Sequence, residues 1–204
     1  MRFIRRLFGA SESPEVRHHA LAMVMLRTRE FDPAAVLPHL TGRWSDLPSI
    51  MNAEQADAVV SASITGGAIG LAHIPMPIPA GDLTAPVAMA WHWPEAAESV
   101  ASHESHVIVH ATSAALGLLD LRLFHTRLTA SVAAVGDGVG VYVGDAMLVR
   151  AAADYQNDAA ESSRENLPIL SWIGFNPARD DATVCGYTTG LRAFGLLELE
   201  AHDG

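Results

Sequence analysis

Residues 57–74, DAVVSASITGGAIGLAHI, constrain the fold more than any other stretch of the chain. Two apolar runs of strand length flank a Gly-Gly turn, and glycine supplies the backbone freedom that a tight hairpin demands. Such a hairpin makes neighbours in sequence antiparallel neighbours in space. In the second half VGVYV, Gly144-Asp145 and AMLVR repeat the signal. A fold that holds both hairpins must be built around antiparallel pairing.

The segments around the hairpins set the class. HHALAMVMLR (18–27) is a compact apolar run and reads as a first strand, buried on both faces. FDPAAVLPHLTGRW reads as a helix with Asp32 as N-cap and Pro33 in its first position, limited or kinked by Pro38. PMPIPAGD can be neither helix nor central strand, because Pro75, Pro77 and Pro79 remove alternate backbone donors. APVAMAWHW then reads as a strand and PEAAESVAS as a short helix behind Pro94.

HVIVHAT is the next strand, and SAALGLLDLRLFHTRLTASVAAVG the longest helix, ending at Gly136. AADYQNDAAESSREN reads as a polar-faced helix, PILSWIGF as a buried strand and LLELEA as a terminal strand. Each half runs strand, helix, hairpin, helix, strand. The expected fold is α+β, with two ferredoxin-like units packed as one body. The halves are 16–104 and 105–204, behind a flexible basic segment of 1–15.

Composition narrows the function classes. The 204 residues are half hydrophobic and 18% charged, as in globular chains. A formal charge of −10, with arginine as the basic residue throughout and no lysine, argues against a nucleic-acid surface. Cys185 is alone, so neither a disulfide framework nor a multi-cysteine zinc site is expected, and a reducing cytoplasm is the expected location. No apolar run is long enough to span a bilayer. In MRFIRRLFGA, Phe3, Ile4, Leu7 and Phe8 share one side of a helix with arginines around it. Residues 1–8 are therefore either a weak membrane-surface or partner contact or a frayed terminus.

GVGVYVGDAMLV, PILSWIGF and YTTGLRAFGLLELEA resemble the bacterial domain of unknown function 4261 over about residues 105–201. The matching elements are a hairpin bearing Tyr142, a segment bearing Trp172, and Thr189-Gly190-Leu191, Phe194-Gly195, Glu198 and Glu200. IPMPIPAGDL and the neighbourhood of WHWPEAAESVASHESH also look like what precedes that domain. Thr188-Thr189 departs from the usual Thr-aromatic or Thr-Leu before the glycine. The family carries no assigned reaction, so the resemblance implies a fold unit and no chemistry.

SHESHVIVHATS (102–113) sets His103, His106 and His110 within eight positions. On a strand, His106 and His110 point away from the Val107–Val109 core face and stand on the order of 13 Å apart, too far to share one ion. His103 and His106 could meet only if the preceding helix runs on, with a third ligand from His92 or His125. His125 falls on the sheet-facing stripe of the long helix with Leu121, Leu128 and Val132. It is either a core imidazole bonded to a backbone carbonyl or, with His106, a catalytic candidate.

GDGVG (136–140) follows a helix and precedes a strand, the reverse of a phosphate-binding loop, and is read as a cap and turn. Glu198 and Glu200 alternate onto one strand face and are read as a solvated face that discourages edge pairing, with acid–base work as the alternative. Met76, Pro77 and Ile78 with Trp91 and Trp93, placed on one strand face, are read as a groove for a partner or as core.

The combined expectation is a cytoplasmic, non-enzymatic protein that binds a protein partner or a copy of itself. It needs no cofactor, and a toxin-neutralising role suits its acidic surface. The alternative is a small-molecule or metal-dependent enzyme centred on His92, His103, His106 and His125.

Overall fold

The computed structural model describes residues 17–180 and 183–202; the expected basic segment lies outside them. Seven strands form one antiparallel sheet: β1 (His18–Leu26), β2 (Ile50–Ala56), β3 (Val59–Ile64), β4 (Gly67–Ile74), β5 (Ser105–Ser113), β6 (Gly138–Val143) and β7 (Leu148–Ala151). Their order is β2-β3-β4-β5-β1-β6-β7. Thus β5, the first strand of the second half, pairs with β4 and β1 of the first. Both halves share one sheet, and the class is α+β. The β3–β4 hairpin turns at Thr65-Gly66 with Gly66 at φ 65°. A Cβ on Gly67 would lie 1.8 Å from the Thr112 carbonyl oxygen, so strand β5 approaches as closely as only glycine permits.

One face of the sheet is covered by α1 (Val36–Arg43), α4 (Leu118–Val135) and α5 (Ala152–Glu161). Val107, Val109 and Ala111 of β5 enter the main core with Leu121, Phe124 and Leu128 of α4, so the valine face is the core face. The other face is covered near Met25, Val139 and Val149 by α2 (Ala80–Ala88), α3 (Ala96–Ala101) and the segment between them, through Leu83, Val100 and Trp93 in turn. Beyond that cover the second face carries Leu21, Ala68, Gly70 and His110. Strand β1 is therefore buried on both faces only at Val24–Leu26, while Leu21 is exposed.

Three expectations are corrected. APVAMAWHW is not a strand: residues 80–88 are α2, whose Leu83 and Pro86 are buried at a helical spacing, and a turn follows. PILSWIGF is not a strand over most of its length either; Ile169–Trp172 is one helical turn, α6, started at Pro168, with Ser171, Trp172 and Ile173 buried and Ile169 and Leu170 exposed. The first helix begins one turn late, because Pro33–Ala35 form a 3-10 turn whose Asp32 cap accepts from the Ala34 N–H at 3.0 Å.

A second, three-stranded antiparallel sheet has the order β10-β9-β8, from β8 (Gly174–Asp180), β9 (Thr183–Thr189) and β10 (Glu200–His202). Among the described residues no helix is long and apolar enough to cross a membrane.

Candidate functional site

The proline loop 75–79 leaves its backbone with few ways to be satisfied, and histidines supply two of them. His103 Nε2 accepts the Ile78 N–H at 2.8 Å, which puts the ring proton on Nδ1, where it donates to the Val100 carbonyl. His106 Nδ1 donates to the Met76 carbonyl at 2.8 Å. Burial holds the His106 pKa below the ordinary histidine value; the Met76 carbonyl works the other way, and the nearby His103 lowers it further. His73 is lowered by burial and then by His106. Holding Ile78 takes a His103 ring with a lone pair on Nε2, whereas His106 can donate to Met76 with or without a second ring proton.

The loop splits the partner-binding candidates. Ile78 is buried against Leu83 and Trp93, whereas Met76 is 60% exposed. Trp91 and Trp93 do not share a strand face: they lie in the turn after α2, with Trp93 in the core and Trp91 61% exposed. His92 bonds the Val149 carbonyl at 3.2 Å, and burial, then Arg150, keep its pKa low against that carbonyl and Asp154. His125 bonds the Val109 carbonyl at 3.0 Å deep under the sheet. Burial drives its pKa down to about 4, against the Val109 carbonyl, with Arg122 and His110 adding to the fall. Among the described residues no three His, Cys, Asp or Glu side chains gather as metal ligands.

Trp91 leads to the main concave surface. Its indole N–H donates to the Phe175 carbonyl at 2.6 Å, joining the turn after α2 to the second sheet. Trp91, Phe175, Tyr187, Leu199 and Glu200 line a largely apolar groove of about 880 Å³. Phe175, Tyr187 and Leu199 are all exposed, and Leu196 and Leu197 stand beside them in the chain at 57% and 85% exposure. Exposed apolar side chains gathered like this mark interaction surfaces more often than a single exposed leucine does.

Glu198 is no solvated strand residue. Its carboxylate accepts from the N–H groups of Gly190, Leu191 and Arg192 at 3.0, 3.3 and 3.1 Å, and from the Thr188 hydroxyl at 2.9 Å. Partial burial pushes its pKa up, yet those donors win and hold the carboxyl below the usual glutamate range. Gly190 sits at φ 104°, where a Cβ would meet the Trp172 carbonyl at 2.6 Å. Thr189 bonds the Ala146 carbonyl at 2.5 Å, and Phe194 packs on Trp172 at 5.3 Å between ring centres. Thr189, Gly190, Phe194 and Glu198 thus form one knot tying the second sheet to the β6–β7 turn. Glu200 instead lies at the exposed edge, its carboxylate 3.2 Å from Nε2 of His202.

Sequence reasoning found Trp91 but missed Phe175, Tyr187 and Leu199, which the second sheet brings to it from far along the chain. The signal open to reading was the Leu196-Leu197-Glu198-Leu199 run, too apolar for a solvated terminal strand. No family model, no curated protein and no solved structure matches the chain.

Proposed function

We propose that the protein is a non-enzymatic binding protein whose second sheet and Trp91 receive an apolar segment of a protein partner or of a second copy. The single observation that supports this reading is the groove of about 880 Å³ between Trp91, Phe175, Tyr187 and Leu199. Trp91 has its N–H satisfied internally, so its ring can be covered without stranding a donor. The histidines point the same way, since His92, His103, His106 and His125 each bond a backbone carbonyl.

Two companion readings stand with this proposal. One is kinship of residues 105–201 with the domain of unknown function 4261, supported by the joint role of Thr189, Gly190, Phe194 and Glu198 in one knot. The other is descent of the shared sheet from two ferredoxin-like units, supported by the central place of β1 and β5. A cytoplasmic partner is the expected setting.

The test replaces Leu199, 64% exposed in the groove, by aspartate. The wild type should sediment as a dimer or hold a stoichiometric partner, and Leu199→Asp should weaken that association at least about tenfold with little change in Tm. A monomeric wild type without a partner, or a variant that associates as before, would overturn the reading.

A further inference from the structure

The apolar groove lies close to the point where the chain enters the described residues. Arg17 and, at the start of β1, His18 line a cleft of about 610 Å³ together with Arg192, Phe194 and Gly195. The Arg192 N–H bonds the Glu198 carboxylate at 3.1 Å, and Leu199, the next residue, lines the groove. Leu196 and Leu197, which follow Gly195, are exposed beside it. One cleft and one side chain therefore separate the entry of the chain from the groove.

Residues 1–16 precede that entry, and their sequence divides in two. In MRFIRRLF, Phe3, Ile4, Leu7 and Phe8 fall on one side at helical spacing, with Arg2, Arg5 and Arg6 around them. GASESPEV (9–16) is small and polar, and its Pro14 opposes a helix that runs on into β1. Extended, those eight residues span about 26 Å, so residues 1–8 can reach the groove from Arg17.

The chemistry of the two surfaces matches. The groove offers Trp91, Phe175, Tyr187 and Leu199 to apolar side chains, and Glu200 at its edge has a side chain 67% exposed to meet an arginine. The open face of the Trp91 indole also suits a guanidinium. The uncovered part of the seven-stranded sheet is a poorer seat. Leu21 stands there beside His110 and Gly70, and His19 beside Thr112 and Ala68, so polar and small side chains interrupt its apolar surface.

We propose that residues 1–8 of the same chain occupy this groove, with Phe3, Ile4, Leu7 and Phe8 against its apolar wall and an arginine toward Glu200. Docking takes both apolar surfaces out of water, and the tether of 9–16 makes it intramolecular, so a small contact suffices. This occupancy rests on the groove being a binding surface and adds its regulation: a partner must displace the segment.

The single cysteine, Cys185, is half-buried and lines the groove, so its reaction rate with a thiol reagent reports the cover in the full-length protein. Leu7→Asp should raise that rate about tenfold or more, whereas Ser11→Asp, the same charge placed in the tether, should leave it unchanged. Amide exchange of 196–201 should quicken in Leu7→Asp while β1 and β5 stay slow. Leu7→Asp should also tighten capture of the partner or second copy that Leu199→Asp weakens. Equal Cys185 rates and equal exchange in wild type and Leu7→Asp overturn the proposal. So does a wild-type rate that rises on dilution, since the segment would then come from a second copy. If no partner or dimer is found and Leu7→Asp still uncovers Cys185, this occupancy stands and the partner reading fails.

Discussion

The two sheets are held by different forces. In the seven-stranded sheet Leu71, Val107 and Val109 are wholly buried with Leu121 and Leu128 of α4, and helices cover one face of all but the edge strand β2. In the three-stranded sheet the order comes from Thr188, Thr189 and Glu198, which clamp backbone groups, while Leu196, Leu197 and Leu199 face solvent. Hydrophobic burial is strong and non-directional, and it leaves no apolar surface for other use. Side-chain clamps are weaker but directional, so they can hold a shape while its apolar side chains stay uncovered. The first region secures the fold; the second has its apolar side chains available.

The largest expected effect tests the burial side of that contrast. Phe124 is 2% exposed in the core between α4 and the sheet. Phe124→Ala should cost about 3–5 kcal/mol in urea unfolding. A loss below about 1 kcal/mol would mean that the helix face does not carry the fold.

Next in size is a pH effect from the same core. The His125 pKa in the fold, about 4, is below its unfolded value, so the unfolded chain binds the proton more readily. Its contribution is complete above the unfolded value near 6.5 and is lost as pH falls toward the folded value. Between pH 7 and 5 the wild type should lose about 2 kcal/mol through this group. His125→Gln keeps a donor for the Val109 carbonyl and removes the titration. Urea midpoints across that range should fall less for the variant, and parallel curves would place the sensitivity elsewhere.

What the sequence disclosed follows the same division. The hairpin at 57–74, the core face of β5 and the long helix were readable because turn chemistry and periodicity are local. Strand β2 was missed because Ile50–Ala56 is polar and largely exposed, an edge strand of which Ile50 packs against the core. The helix α2 was misread because Pro86 and the spacing of valine, methionine and tryptophan imitate strand alternation, while its buried face, Leu83 and Pro86, is narrow. For Glu198 no local rule applies: its role exists only once Gly190 and Gly195 turn the backbone to positive φ, at 104° and 73°. Phe175, Tyr187 and Leu199 meet Trp91 only through the tertiary fold. Residues that bury were legible; residues that clamp or converge were not.

Glu198 gives the smallest expected effect and the sharpest comparison. Removing its carboxylate leaves three N–H groups and one hydroxyl to find water, and the turn is partly open, so water can reach them. Glu198→Ala should therefore cost about 1–2 kcal/mol rather than a core-sized loss. The damage should be local: amide exchange should quicken in 185–202 and stay slow in β1 and β5, since sub-global opening follows the contacts that hold each unit. The acid dependence has a definite sign. The folded carboxyl titrates below its unfolded value, so its contribution is present above the unfolded pKa and disappears as pH falls through the folded one. The wild type should then resemble Glu198→Ala in the exchange of 185–202 at the acid end, while differing from it at neutral pH. If the variant loosened both sheets equally, the knot would be part of the main core and the division between the two regions would fail.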